Sequence, residues 1–337
     1  MEKILYLDFN QTSNCFFIGT TRGYQIYTTS PLKKIADRKF EDGICLMNML
    51  FKTNIIAIVK KNTYDNKTNE NKILLWDDAE KKIIGEIACK SKVQKIFLRK
   101  DYITILVRKR VYIYNLKDLK MFTNFETGDN PKNICKITYQ SGCFLLATIT
   151  KNLGEVMIRN IIDGNKPKII KAHESDIQEL AVNDEGTLLA TASSKGTLIR
   201  IFDLETLKKI KELRRGSTER KINKLKFNET SDLLICITDS GSLHLFNTGY
   251  TKKSKNNISV LGTRIGSISK FMPSFTPKYL SSEWAFFKYY VTPDKSVVAI
   301  RDDKIILVNT NGNYYKIRFR VKHAEYILEN KFNIFEI

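Results

Sequence analysis

Arg214 and Arg215 stand side by side in the stretch KELRRGSTERK, and two groups of hydroxyl and imidazole side chains flank them in matching settings. Upstream, KAHE supplies His173, and TASSKGTLIR supplies Ser193, Lys195, Thr197 and Arg200. Downstream, TDSGSLHLF supplies Thr238, Ser242 and His244. Guanidinium groups fork onto phosphate oxygens through paired N–H donors, lysine adds a point charge, and hydroxyls donate single hydrogen bonds. The set therefore suits phosphate. Adjacent residues of a strand project to opposite faces, so the two arginines cannot readily share one partner. Two solvated surface charges would satisfy that geometry as well. The matching sets on either side favour two pockets. Arg214 would serve one with His173, Ser193, Lys195, Thr197 and Arg200, and Arg215 the other with Thr238, Ser242 and His244.

Other chemistry finds little support. The six cysteines are scattered, no CxxC occurs, and three histidines serve the whole chain. Zinc ligation is therefore not expected, and free thiols buried in apolar runs are. No paired carboxylates form a credible local motif and no glycine-rich phosphate loop opens a helix, so neither an enzyme nor a cofactor is expected. A net charge of +20 implies an anionic partner: nucleic acid, an anionic membrane or an acidic protein. The longest apolar runs, such as NIIAIV and DLLICIT, are far shorter than the roughly 20 residues a membrane helix needs. With no signal-like layout in MEKILYLDFN, the chain reads as a soluble intracellular protein.

The elements that must position these groups are short β-type runs separated by turn residues. In LLATASSKGTLIRIFDLETLKKIKELRRG, three strand-length pieces break at Ser-Ser-Lys-Gly and at Asp-Leu-Glu-Thr. Comparable units recur from CFFIGTTRGYQIYTT to VVAIRDDKIILVNTNGNYYKI. Each third strand closes on a pair such as Ile-Tyr, Leu-Trp-Asp, Ile-Phe-Asp or Leu-Phe-Asn. These pairs occupy the place of the Trp-Asp of WD repeats, which only Trp76-Asp77 spells out. Seven units of about 48 residues lie near the roughly 40–45 of a propeller blade. The fold expected over residues 1–337 is all-β, a single seven-bladed propeller of four-stranded antiparallel blades.

One connection, residues 247–280, breaks the rhythm. Within it Ile258, Leu261, Ile265, Ile268, Met272 and Phe275 recur at spacings of three and four, with Lys252, Lys253, Lys255, Arg264 and Lys270 before or beside them. That pattern fits an amphipathic segment at a membrane interface, or one docked on its own propeller. KKNTYDNKTNENK reads as a surface insertion.

LRRG followed by hydroxyl residues, with ATASSKGTLIR before it and GSLHLF after it, resembles the PROPPINs, β-propellers that bind polyphosphoinositides. The leucine form, together with WDDAEKKIIGEI and GNYYKI, is most similar to the WIPI-three and WIPI-four branch. The resemblance implies two head-group sites for phosphatidylinositol 3-phosphate and phosphatidylinositol 3,5-bisphosphate. By motif position, His173, Ser193, Thr197, Arg200 and Arg214 form one, and Arg215, Thr238, Ser242 and His244 the other. The family usually has Ser where Thr238 stands and Thr where Ser242 stands. Both exchanges keep the hydroxyl.

The connection at 247–280 corresponds to the family's membrane-inserting loop. The resemblance further implies a monomeric scaffold on autophagosomal, endosomal or vacuolar membranes that recruits autophagy machinery, chiefly a bridge-like lipid-transfer protein. Two other readings compete. A nucleic-acid-binding propeller would show exposed aromatics among its basic residues and binding independent of Arg214 and Arg215. A protein-interaction scaffold would bind its partners and ignore vesicles.

Overall fold

A computed structural model describes residues 2–61, 70–140, 142–250, 282–320 and 325–336. The strands form seven antiparallel sheets in sequence order, covering residues 4–39, 43–88, 93–126, 135–171, 177–214, 222–290 and 296–333. These are blades one to seven of a propeller. The ring closes by packing β26 (Ser296–Arg301) beside β1 (Ile4–Phe9), each strand remaining in its own sheet.

Hydrophobic patterning explains the layering. Second strands are covered by the neighbouring blades, and three of them, β2 (Cys15–Thr20), β18 (Leu188–Ser193) and β22 (Leu233–Thr238), are buried along their whole length. Their sequences CFFIGT, LLATAS and LLICIT are continuous apolar or small runs, as strands covered on both faces require. Outermost strands face solvent and are charged, as in β8 (Lys82–Ala88), KIIGEIA. Seven buried clusters result, one at each seam between adjacent blades. Leu7, Phe16 and Tyr27 meet Val297 and Val308 where blade one joins blade seven. Ala190, Ile201 and Leu213 meet Leu225 and Phe246 where blade five joins blade six.

The Asp or Asn that ends a third strand turns the chain. Asp77 Oδ1 accepts from the N–H of Ala79 at 2.9 Å and of Glu80 at 3.1 Å. Asp203 does the same for Glu205 and Thr206; in blade seven the corresponding turn follows the second strand, where Asn309 accepts from the N–H of Asn311 and Asn313. An Asx turn needs a short side-chain acceptor there, and tolerates variation in the preceding aromatic.

Blade five departs from the expected four strands. The material around SSEWAFFKYYV divides between two sheets. β24 (Glu283–Trp284) adds in parallel to β20 (Lys209–Arg214) as a fifth strand of blade five. β25 (Phe287–Tyr290) pairs with β23 (Ser242–Asn247) and completes blade six. Periodicity along a single segment cannot reveal that its two halves have different neighbours. Ile258, Leu261, Ile265, Ile268, Met272 and Phe275 lie outside the described residues, as does most of KKNTYDNKTNENK.

All six cysteines are free; Cys45 and Cys143 are only partly buried. Burial pushes the thiols of Cys45 and Cys89 up to about 11, and those of Cys135 and Cys236 to about 12. At neutral pH these thiols are protonated and poor nucleophiles.

Candidate functional site

Two glycine hairpins frame the arginine pair. Between β18 and β19 (Leu198–Asp203), Gly196 has φ +61° and donates its N–H to the Ser193 carbonyl at 2.9 Å. Between β22 and β23, Gly241 has φ +76° and donates to the Thr238 carbonyl at 3.1 Å. Each glycine abuts backbone at the next seam. A Cβ on Gly196 would stand 1.8 Å from the Arg220 carbonyl oxygen, and one on Gly241 2.1 Å from that of Val291. Only glycine permits both that φ and that approach. The hairpins are thereby held against the entries to blades six and seven.

Arg214 is the last residue of β20 and Arg215 follows it, its N–H bonded to the Thr197 carbonyl at 2.9 Å. Their side chains take separate partners. Arg214 Nε donates to Ser282 Oγ at 2.8 Å. Arg215 Nε donates to the Gly196 carbonyl at 2.8 Å, and its Nη2 to the Thr218 carbonyl at 2.5 Å. Arg215 is only 6% exposed. Among the described residues no carboxylate lies within ion-pair distance of it, and burial lowers its affinity for its proton. Arg220 adds to that effect, and Asp239 offsets it only from a distance.

The second set of hydroxyls is contiguous. Thr238 Oγ1 lies 2.7 Å from Ser242 Oγ and 2.9 Å from Ser240 Oγ, and His244 Nε2 lies 3.1 Å from Ser242 Oγ. Burial, then the positive charges of Lys288 and Arg215, pull His244 down to about 4, so it is neutral at pH 7. Arg215, His244 and this hydroxyl chain are thus brought together. Ser240 and Lys288 join them. Lys288 is exposed and pairs across the sheet with His244, a relationship visible only once β25 is placed beside β23.

The first set is organised differently. His173 sits at the seam of blades four and five, its N–H bonded to the Gly154 carbonyl at 3.1 Å and its Nε2 2.9 Å from Thr191 Oγ1. Burial, then Arg200, hold it near 4. Arg200 is engaged by Glu212, its cross-strand partner, at 3.0 Å, and donates from Nη1 to the Ala172 carbonyl at 2.6 Å. Thr191 was not recognisable as part of the set, since LLATAS reads as core. The Ser193 side chain is buried at the strand end, whereas Lys195 is exposed at the hairpin tip. Ser282 carried no signal at all, being fixed by tertiary contact rather than by neighbouring sequence.

Among the described residues no group of His, Cys, Asp and Glu could hold a metal ion, and no helix is long and apolar enough to cross a membrane.

The fold is a seven-bladed β-propeller, with basic, hydroxyl and imidazole groups gathered where blades four, five and six meet. The PROPPIN family profile matches residues 4–285, and the chain belongs to that family. It is 29% identical over 328 residues to Autophagy-related protein 18e of Arabidopsis thaliana, covering 96% of this chain and 85% of that protein. To SVP1-like protein 2 of Pichia angusta it is 30% identical over 302 residues, covering 87% and 82%. The fold superposes on Kluyveromyces lactis Hsv2 with its complete loop 6CD at a TM-score of 0.82. That match is 22% identical and covers 99% of this chain and 100% of the other.

Proposed function

We propose that this propeller is a non-enzymatic effector that binds phosphorylated inositol lipids through two pockets on either side of Arg214 and Arg215. One observation carries the reading. Arg215 is a buried guanidinium hydrogen-bonded to neutral carbonyls, beside a neutral histidine and a chain of three hydroxyls. A buried charge without a counter-charge is costly unless a ligand supplies one. A phosphomonoester supplies two negative charges and three acceptor oxygens, which matches this donor set.

In this reading the ligands are phosphatidylinositol 3-phosphate and phosphatidylinositol 3,5-bisphosphate, supported by membership of the PROPPIN family and by the resemblance of both residue sets to its motif, with the hydroxyl residues at 238 and 242 exchanged. Lysines spread over the surface draw the propeller to an anionic bilayer at about 1 kcal/mol per basic residue near it. Two pockets engaged together then multiply individually weak affinities and fix orientation. The names of the relatives support a place in autophagy; attachment to peripheral membranes and recruitment of a bridge-like lipid-transfer protein follow in this reading from the resemblance to the PROPPINs.

Vesicle sedimentation tests the reading. Wild type should pellet with vesicles containing phosphatidylinositol 3-phosphate at salt concentrations that screen general cationic adhesion, and the Arg214→Thr, Arg215→Thr double variant should stay in the supernatant. Equal pelleting of the two would sink the two-pocket reading.

A further inference from the structure

The channel along the propeller axis holds a second concentration of basic groups, separate from the rim. It encloses about 620 Å³, within the range of sites for small organic ligands. Lysines enter it from three innermost strands: Lys95 on β9 (Val93–Leu98), Lys136 on β13 (Cys135–Ile137), and Lys224 and Lys226 on β21 (Ile222–Phe227). Lys136 and Lys226 stand between buried apolar neighbours, while Lys95 and Lys224 each follow a polar residue at a register shift, Gln94 and Asn223, and precede a buried one; all four line the channel.

Carboxylates neutralise only half of this set. Lys136 pairs with Glu179 at 2.5 Å and Lys224 with Asp8 at 3.2 Å. Lys95 Nζ instead donates to the Cys135 carbonyl at 3.1 Å, and Lys226 Nζ to the Ser13 hydroxyl at 2.7 Å. Among the described residues neither has a carboxylate within 4 Å. Asp184, Glu185, Glu229 and Arg301 also line the channel, and Asp184 attracts Lys226 from beyond ion-pair distance. Burial and the neighbouring ammonium groups pull Lys95 down to about 7 and Lys226 to about 8. The Tyr139 phenol, kept protonated by burial, is one more donor facing the same space.

A solvated surface lysine needs no partner. Two partly desolvated ammonium groups that repel two others in an enclosed channel do, and a multiply charged anion is the partner that lowers the energy of all four. Lysine ammonium groups act on phosphate as point charges and impose little geometric demand. We propose that the axial channel is a binding site for a small, soluble, multiply phosphorylated anion, held chiefly by Lys95 and Lys226 with Lys136, Lys224 and Tyr139 around it. The site shares no residue with the rim, so its fate and that of the lipid pockets can be separated.

Pyrophosphate is the probe, titrated calorimetrically into the full chain against sulfate at matched ionic strength. Wild type should show saturable one-to-one binding that sulfate does not reproduce. The Arg214→Thr, Arg215→Thr variant should retain it. Lys95→Met with Lys226→Met should weaken it about tenfold or more, since two point charges are removed from contact with the anion. That variant should melt at or above the wild-type temperature without ligand, because buried repelling charges have been replaced by apolar groups. If it does not fold, Lys95→Gln alone should still weaken binding about threefold.

Absence of saturable binding, equal binding by sulfate, loss in the arginine variant, or retention in the lysine variants would each overturn the proposal. So would sedimentation of the arginine variant with phosphoinositide vesicles that pyrophosphate competes away, since a lipid head group would then be the channel's occupant.

Discussion

Arg214 and Ser282 meet although 68 residues separate them, the arginine Nε donating to the serine hydroxyl at 2.8 Å. The contact ties the end of blade five to the segment that returns to complete blade six, beside the parallel pairing of Arg214 with Trp284. Arg215, the next residue, turns instead to Gly196 and Thr218. Two neighbours in sequence are thus oriented by two unrelated supports.

Ser282→Ala should therefore weaken the lipid pockets without touching a ligand. Removing a hydrogen bond to a charged group typically forfeits about 1.5 kcal/mol, roughly a tenfold effect if all of it went into holding the arginine in place. A three- to tenfold rise in the vesicle concentration needed for half-maximal sedimentation is expected at about that magnitude. The melting temperature should scarcely move. Unchanged sedimentation would mean that Arg214 keeps its orientation without the serine.

Gly196→Ala should cost stability. The new Cβ would stand 1.8 Å from the Arg220 carbonyl oxygen, at a φ of +61° that alanine tolerates poorly. About 2 kcal/mol or more is expected to be lost, a fall of about 3 °C or more in melting temperature for a chain of this size. Gly216 supplies the control. Its Cβ would meet nothing within 4 Å, so Gly216→Ala should melt with the wild type. Calorimetric scans of the two variants decide the matter.

The propeller was legible because its repeat rests on local chemistry. A short acceptor ends third strands such as those closing on Asp77 and Asp203, and second strands such as LLATAS and LLICIT are apolar or small throughout. The divergence of Arg214 and Arg215 was legible for the same reason, being a property of adjacent residues. What escaped depends on contacts between distant segments. Ser282 joins Arg214 from beyond a long connection, and Lys288 reaches His244 only through the β23–β25 pairing. The apolar run containing Thr191 hides a polar partner of His173. The channel lysines escaped too: in INKLKF the two lysines two residues apart read as a solvent face, and in a closed ring that face is the axis.

Acid should destabilise the protein in a window set partly by its two rim histidines. Burial holds both His173 and His244 near 4, against an ordinary value near 6.5 in the unfolded chain. The folded-state value is the depressed one, so this contribution to stability is fully present above 6.5 and is lost as the pH falls towards 4. By pH 5 each histidine should have withdrawn about 2 kcal/mol, because the unfolded chain takes up protons that the folded one refuses. Chemical denaturation between pH 7 and pH 5 should show the decline, and His173→Gln with His244→Gln should flatten it. A double variant with the wild-type slope would place the acid sensitivity in the carboxylates instead.

Glu212→Gln probes whether Arg200 is available to a ligand. Glu212 faces Arg200 across the β19–β20 ladder at 3.0 Å and also takes Lys209 at 3.1 Å. Although burial pushes its pKa up, these two cations hold the carboxyl below its ordinary range. The carboxylate therefore cancels charge next to His173, in the first pocket. Glutamine keeps the shape and one acceptor oxygen for Arg200 but removes the negative charge. Stability should fall by about 1 kcal/mol, as for a partly buried pair losing its Coulomb energy. Affinity for soluble inositol 1,3-bisphosphate should rise about threefold, with a steeper dependence on salt, because Arg200 would then carry its full charge towards the anion. Titration calorimetry at two salt concentrations measures both quantities. If a folded Glu212→Gln protein bound no more tightly than wild type, Arg200 would belong to the packing of blade five, where it bonds the Ala172 carbonyl, and the first pocket would rest on Arg214 and its hydroxyl neighbours.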